Sequence, residues 1–339
     1  MPRSDRSKNR IRNGWAFILV CVVIVSLLLS GCSAPAPKVY RVGILLSNLA
    51  IFAPTADGFK AKMTELGYVE GKNIVYVTQK ASTADQESAV KKFVADKVDL
   101  IFAFPTGGAL AAKAATQGTN IPVLFANANI EGVDLVKSAR EPGGNITGVR
   151  YPGPDLTVKR FEILHELAPQ AKRMWVPYRN DAEIVKAQLE ALRPVAAAAG
   201  VTLVEFPAAD AAELQADLEA RAKSTDVGID AILMIAEPLT VTPDAFTAMA
   251  KFAAEHKLPV GGAIMSAGDY ASLFGVSTDS AAVGRQAAPL ADKILKGIPA
   301  GTIPVTSAES YFQLNYKAAQ AQGVTVPDEL LRQANQIIR

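Results

Sequence analysis

Residues 98–128 read VDLIFAFPTGGALAAKAATQGTNIPVLFANA and contain a clear change from an apolar run to a helical segment and back. This stretch begins with an apolar run over 98–105, continues with an alanine-rich segment over 106–116, and ends with a second apolar run over 121–128. Short apolar runs on either side of a helical segment are typical of a strand–helix–strand unit with parallel strands. We therefore expect an α/β fold built on a parallel sheet.

The same alternation extends in both directions from this stretch, with one interruption. The turn-rich segment REPGGNITGVR, residues 140–150, separates a first series of strands and helices from a second series. The first series adds predicted strands over 42–46 and 72–81 and predicted helices over 55–68 and 83–97, the last with Thr83 as N-cap. The second series has predicted helices over 155–169, 182–200, 211–224 and 242–257, and predicted strands over 173–180, 201–207, 230–238 and 258–264. The sequence thus predicts two lobes, each a parallel sheet flanked by helices.

The segment after residue 274 does not begin a third unit. It contains a strand-like start and a long amphipathic helix over 274–297, a short β segment near 303–314, and a helix over 327–338. We expect this segment to return and complete both lobes, leaving a ligand cleft between them. The predicted boundaries are 39–150 plus about 275–310 for the N-terminal lobe and 151–274 plus about 311–339 for the C-terminal lobe, with hinges near 149–153 and 272–276.

Residues 1–31 have the three-part layout of a secretory signal peptide. The basic residues Arg3, Arg6, Lys8, Arg10 and Arg12 precede an apolar run from Trp15 to Leu29. That run is shorter than the roughly 20 residues of a membrane-spanning helix, although a permanent membrane anchor is the alternative interpretation. In the rest of the chain, basic and acidic residues nearly balance, so nucleic acid is not an expected partner.

The stretch LSGC, residues 29–32, resembles the lipobox of bacterial lipoproteins. This resemblance implies that the Cys32 thiol is acylated with diacylglycerol and that cleavage makes Cys32 the first residue of the mature chain. Cys21 would be discarded with the signal peptide, and residues 32–38 would form a tether between membrane and folded body. We therefore predict a lipid-anchored protein of the periplasm or cell surface.

The chain lacks the usual signatures of catalysis, metal binding and nucleotide binding. Its two histidines, His165 and His256, lie in predicted helices, and both cysteines lie at or before the lipobox. The motifs HExxH, GxSxG, GxGxxG and the P-loop do not occur. We predict no metal, no cofactor and no catalytic residues, with an enzyme on the same fold as an alternative.

Ligands of open α/β sheets bind at the carboxyl ends of the strands, and polar neutral residues follow most of the predicted strands here. Such residues hold a small ligand by hydrogen bonds and transfer few protons. Free backbone N–H groups at the start of the helix over 106–116 would form an anion site. The candidates chosen by position are Ser47, Asn48, Thr106, Gly107, Asn127 and Asn129 in the first lobe, and Tyr178, Asn180, Glu237 and Met265 in the second.

Several stretches together resemble the ABC transporter substrate-binding proteins related to tryptophan and tyrosine uptake. The most specific are LGYVEGKNI, residues 66–74, and PGGNITGV, residues 142–149, and the resemblance runs from about residue 40 to the C-terminus. It implies a type I periplasmic-binding fold with the ligand closed between two lobes. By the family's motifs it selects Ser47, Thr106, Glu237 and Asp279 as ligand-site residues.

Two strand ends depart from the family's pattern. Asn129, between Ala128 and Ile130, stands where the family often has the aspartate of an Ala-Asp-Pro turn. The stretch Tyr178-Arg179-Asn180 keeps only the last residue of an Asn-Pro-x-Asn turn. Both departures lie at predicted ligand-facing positions.

The sequence and the resemblance together predict a monomeric, extracytoplasmic solute-binding lipoprotein of an ABC importer, with the permease and ATPase as partners. It would capture a small polar solute by hinge closure, with an amino acid, aromatic ones included, as the best candidate. A carboxylate would bind the amides at 106–108, an ammonium would lie near Glu237, and a ring would stack on Tyr178, Phe52 or Tyr270. A lipoprotein that senses a ligand for a membrane receptor is the alternative.

Overall fold

The computed structural model describes residues 38–48 and 50–339. The predicted signal peptide and Cys32 lie outside the described residues. The alternating strands and helices are confirmed. The first series comprises β1 (Tyr40–Ser47), α1 (Ala53–Glu65), β2 (Ile74–Ala81), α2 (Gln86–Ala95), β3 (Leu100–Ala103), α3 (Thr106–Ala115), β4 (Val123–Ala128) and β5 (Ile146–Arg150).

The second series and the return segment supply the remaining elements. The second series comprises α4 (Gly153–Leu167), β6 (Arg173–Arg179), α5 (Glu183–Ala198), β7 (Thr202–Ala208), α6 (Ala211–Ala222), β8 (Ala231–Leu233), α7 (Pro243–His256), β9 (Val260–Gly261), β10 (Ser266–Ala267), β11 (Tyr270–Ala271) and β12 (Phe274–Ser277). The return segment comprises α8 (Ser280–Leu295), β13 (Thr306–Ser307), β14 (Tyr311–Asn315), α9 (Tyr316–Ala321), α10 (Asp328–Gln333) and β15 (Gln336–Ile338).

The first lobe is a six-stranded parallel sheet in the order β13-β5-β4-β3-β1-β2. Its central strands are buried on both faces, which explains why they read as continuous apolar runs rather than alternating ones. Phe59 of α1 stacks on Phe102 with ring centroids 4.3 Å apart on one face, and Phe93 of α2 is buried on the other. The sheet therefore presents the carboxyl ends of β1, β3 and β4 along one edge.

The second lobe contains a parallel sheet in the order β7-β6-β8-β9. A bridge between Gly262 and Gly275 joins it to a three-stranded sheet in the order β12-β14-β15, in which β12 and β14 are antiparallel. The second core is continuous across both sheets, since Phe274 and Phe312 pack in it beside Met174 and Leu189. The chain passes between the lobes at β5 to α4, β12 to α8, and β13 to β14.

The return segment contributes β13 to the first sheet and β14 and β15 to the sheet that contains β12, and the predicted lobe boundary of about 275 lies within β12. Because β12 pairs with β14, Phe274–Ser277 belongs to the second lobe, and the first lobe resumes with α8 at Ser280. Helix α8 packs against α1, where a Cβ on Gly58 would overlap the Ala281 carbonyl and a Cβ on Gly284 would overlap the Thr55 carbonyl. These two glycines allow the helix backbones to approach this closely.

Three local predictions are wrong for identifiable physical reasons. The turn-rich segment 140–150 ends in strand β5, whose Gly148 has no room for a Cβ against Phe125 of β4. The predicted helix over 327–338 ends at Gln333, because Asn335 exchanges two hydrogen bonds with the Phe312 backbone and draws the chain into β15. Thr83 begins a short 3₁₀ turn, so α2 begins only at Gln86, with Asp85 as its N-cap.

Two further boundaries concern the second lobe. Strand β8 ends at Leu233, five residues earlier than the predicted end at 238, and the chain from Ile235 onward forms a loop at the carboxyl end of the sheet. Helix α5 continues through Pro194 to Ala198 without a break. Across the ranges the structure describes, no helix has both the length and the apolar character needed to span a bilayer.

Candidate functional site

Thr106 and Asn129 are brought together at the carboxyl edge of the first sheet. Thr106 is the first residue of α3, and Asn129 follows β4. The Thr106 hydroxyl oxygen lies 3.0 Å from the Asn129 backbone nitrogen and 3.4 Å from its Nδ2 atom, and it accepts from both. Ser47 is half-buried and Asn48 is exposed at the end of the neighbouring strand β1. These predicted residues thus share one edge.

The first turn of α3 offers backbone N–H groups at this edge. The N–H groups of Thr106, Gly107 and Gly108 lack acceptors within the helix because they lie in its first turn. Pro105 is the N-cap, and no side chain accepts from these groups as a cap. Gly107 is exposed and Gly108 is buried. The partial positive charge of the helix N-terminus adds to the attraction for an anion.

Asn127 is a positioning residue rather than an open ligand contact in this structure. It has a φ of 49° at a bulge in β4 and is 4% exposed. Its Nδ2 atom donates to the Thr55 hydroxyl at 3.0 Å, and its Oδ1 atom accepts from the Thr278 hydroxyl at 3.0 Å. Asn127 therefore ties α1 to the crossover that leads into α8, and the predicted contact with a ligand stays a prediction.

Glu237 is buried in the second lobe and accepts three backbone hydrogen bonds. Its Oε2 atom accepts from the N–H groups of Arg179 and Leu239, at 3.0 and 2.8 Å, and its Oε1 atom accepts from Thr240 at 2.6 Å. Glu237 is 5% exposed. The carboxylate thus fixes the loop after β8 to the end of β6, and an ammonium contact would use the acceptor positions left on its oxygens.

The other candidates of the second lobe are either exposed at the end of a strand or half-buried against a hydrophobic core. Asn180 is exposed and its N–H bonds to the Ala208 carbonyl. Tyr178 is half-buried against the core, and burial raises the pKa of its phenol. Met265 is half-buried, and its backbone N–H donates to the Ser272 hydroxyl at 3.0 Å.

Asp279 is exposed and serves as the N-cap of α8. Its Oδ1 atom accepts from the Ala282 N–H at 2.7 Å. This contact satisfies one of the free N–H groups of the helix start. Asp279 follows Thr278, so the Asn127 contact and the α8 cap lie next to each other along the second crossover.

Two arginines hold the crossovers near the predicted hinges. Arg150 donates to the Ser307 hydroxyl at 2.6 Å, pairs with Asp155 at 2.9 Å, and pairs with Glu131. Arg160, which is buried, donates to the Val276 carbonyl through Nε at 2.8 Å and to the Tyr151 hydroxyl at 3.1 Å. The predicted hinge segments are therefore cross-linked by side chains that the sequence patterns did not single out.

The described residues contain no group of three or more His, Cys, Asp or Glu side chains that could hold a metal ion. Both histidines pack on aromatic rings instead. His165 stacks on Phe161 with centroids 5.8 Å apart, and His256 lies 4.4 Å from Phe252.

Gln86 is a further polar residue at this edge that the strand-end rule missed. It begins α2, the helix that follows β2, and lies against Gly107 and Gly108. The rule considers residues that directly follow a strand, whereas Gln86 comes after the short 3₁₀ turn Thr83–Asp85. The sequence feature that could have identified Gln86 is a polar residue at the first position of the helix that follows β2.

Comparison with known proteins supports this architecture. Two parallel α/β lobes joined by three crossovers define the type I periplasmic-binding fold. The model of the ABC transporter substrate binding protein family matches residues 44–338, so the chain belongs to that family. Members of this family are extracytoplasmic proteins that bind a small-molecule ligand for an ABC permease. The family assignment expected from the sequence motifs is thereby confirmed.

Individual relatives agree with this assignment. The chain is 31% identical over 256 residues to a tyrosine-binding protein of Clostridioides difficile (strain R20291), covering 74% of this chain and 71% of the relative. A ligand-free, open substrate-binding protein with adhesive properties from Clostridium difficile has a TM-score of 0.70 and 27% identity, covering 85% of this chain and 96% of that one. A Streptococcus pneumoniae ABC domain in complex with L-Trp has a TM-score of 0.73 and 24% identity, covering 89% and 100%, and supports the fold alone.

Proposed function

We propose that the chain is the solute-binding lipoprotein of an ABC importer and captures an amino acid, with aromatic amino acids among the candidates. The observation that carries the proposal is the open first turn of α3 beside the bonded pair Thr106 and Asn129. Its relative of 31% identity is a tyrosine-binding protein. The two lobes would close on the solute by rotation at the crossovers, and the monomer would deliver it to a permease and its ATPase.

The ligand would lie with its polar end toward the first lobe. Its carboxylate would accept from the amides at 106–108, with Ser47 and Asn48 at the same edge. Its ammonium would approach the second lobe at Glu237. Phe52 and Tyr270 are both half-buried at the surface of their cores and would offer faces for a side-chain ring.

Calorimetric titration of the purified chain with L-tyrosine, L-tryptophan and L-leucine tests this proposal. We expect saturable heat at one ligand per chain for at least one of these amino acids. No heat with any of them would remove the amino-acid part of the proposal. A closed form would be detected by a smaller radius of gyration in solution scattering when ligand is added.

Replacing Cys32 with alanine is expected to abolish lipidation and membrane association. The acylated atom is the Cys32 sulfur, and no other cysteine would remain after cleavage of the predicted signal peptide. Incorporation of labelled palmitate and fractionation of the cell envelope measure this outcome. Cys21→Ala is the matched control, since it should be processed like the wild type. A Cys32→Ala chain that is labelled and anchored like the wild type would contradict the lipobox interpretation.

A further inference from the structure

Gln86 is a buried polar side chain with an unused carboxamide. The residue is 5% exposed, yet no group in the described part of the chain forms a hydrogen bond with its side chain. A carboxamide has two donor hydrogens and an acceptor oxygen. Because 5% of Gln86 stays exposed and no described residue bonds its side chain, the carboxamide is open to a partner from solution.

The Gln86 carboxamide lies against the first turn of α3. Its Oε1 atom is 3.2 Å from the position that a Cβ on Gly107 would occupy, and its Nε2 atom is 3.9 Å from that of Gly108. The N–H groups of this turn have no side-chain cap. The Gln86 carboxamide, whose Nε2 atom is a donor, and the uncapped backbone N–H groups of α3 therefore lie at one place.

The two glycines keep this place open. A methyl group on Gly107 would press on the Gln86 carboxamide, and one on Gly108 would lie 3.3 Å from the Leu45 Cδ2 atom. The Thr106 hydroxyl faces Asn129 and does not cap its own helix. An acceptor from solution can therefore reach the exposed Gly107 amide.

The charge of the surrounding segments limits the kind of anion. The first turn of α2, residues 86–89, contains the exposed acid Glu87, and neither this turn, nor that of α3, residues 106–109, nor the end of β4 contains a lysine or arginine. The donors are neutral amides aided by the helix dipole. Such a site suits a singly charged carboxylate, whereas a phosphate dianion is usually bound with cationic side chains.

We propose that Gln86 is a ligand-binding residue that completes a carboxylate site with the backbone N–H groups of Gly107 and Gly108. The inference rests on the proposed function and identifies which group of the solute the first lobe recognises. One carboxylate oxygen accepts from the α3 amides, and the other accepts from the Gln86 Nε2 atom. Gln86 is thereby a determinant of specificity for solutes that carry a carboxylate.

The test uses the full folded chain without its signal peptide, labelled with ¹⁵N, and sodium acetate as the probe. We expect acetate to shift the amide resonances of Gly107 and Gly108, and the shifts to be lost in Gln86→Glu, whose carboxylate repels the anion. Gln117→Glu, beyond the other end of α3, is the matched control and should respond like the wild type. Absence of shifts at these amides, or equal shifts in Gln86→Glu, would overturn the carboxylate site.

A second arm uses calorimetry with L-tyrosine and L-tyrosinamide, which lacks the carboxylate. Gln86→Leu is expected to weaken L-tyrosine binding about tenfold or more, the effect of losing a hydrogen bond to a charged group. The weaker binding of L-tyrosinamide should change little in the same variant. Heat from L-tyrosine that is equal in wild type and Gln86→Leu would overturn the role of Gln86 and leave the proposed function standing. An acetate response without heat from any amino acid would leave the carboxylate site standing and remove the amino-acid proposal.

Discussion

Replacing Glu237 with alanine is expected to lower the free energy of unfolding by about 2–6 kcal/mol. The change removes the acceptor for three backbone N–H groups, two of which belong to the buried residues Leu239 and Thr240. Each buried donor left without a partner contributes about 1–3 kcal/mol to the loss. Urea unfolding followed by circular dichroism measures the change.

The control for this variant is Glu162→Ala, an exposed position on α4 in the same lobe. It should change stability by less than about 0.5 kcal/mol. Glu237→Gln retains one acceptor oxygen and should fall between the two variants. If Glu237→Ala were as stable as Glu162→Ala, the three backbone contacts would not hold the loop after β8 to the end of β6.

Gly284→Ala is expected to lower the free energy of unfolding by about 2 kcal/mol. The added methyl group would overlap the Thr55 carbonyl oxygen and lie 2.8 Å from the Phe59 nitrogen, both backbone atoms of α1. Backbone cannot move aside as a flexible side chain does, so the helices must separate, at a cost of about 3 kcal/mol. The better helix propensity of alanine offsets about 1 kcal/mol of this cost.

Ala282→Leu is the control for added volume on the same helix, because Ala282 is exposed. It should leave the melting temperature nearly unchanged, whereas Gly284→Ala should lower it by several degrees. The comparison also tests the path of the chain, since α8 meets α1 only if the return segment completes the first lobe. Equal melting temperatures for Gly284→Ala and the wild type would contradict the close packing of these helices.

The sequence was sufficient to predict the alternation of strands and helices because the central strands of both lobes are buried on two faces. Leu100–Ala103 is apolar throughout and Val123–Ala128 is apolar except for Asn127, so both stand out from the helices around them. The resemblance to a family then supplied the two-lobed arrangement, which alternation alone does not determine. The return segment was predicted in outline for the same reason.

The missed elements depend on contacts between residues distant in sequence. Gly148 weakens the strand signal of β5, yet that strand needs a glycine beside Phe125. The end of the chain reads as a helix, but Asn335 pairs with Phe312 and converts it to β15. Neither partner can be identified from local propensity.

The sequence predicted that the candidate residues would lie at one edge of the sheet, but it did not predict what each side chain contacts there. Thr106 and Asn129 do meet, because adjacent parallel strands end side by side. Asn127 and Glu237 lie where the rule placed them, but their polar atoms are bonded to Thr55, Thr278 and nearby backbone groups. Gln86 was missed because its position depends on how α2 and α3 pack.

We propose that the two lobes form a receptor for a small solute that carries a carboxylate. The most direct test is native mass spectrometry of the chain after it has been unfolded, stripped of ligand, refolded, and mixed with a small-molecule extract of bacterial cells. We predict one non-covalent adduct per chain, a carboxylate-bearing metabolite whose occupancy falls in Gln86→Glu and is unchanged in Gln117→Glu. A spectrum identical with and without the extract, from protein whose circular dichroism shows the native fold, would contradict the claim.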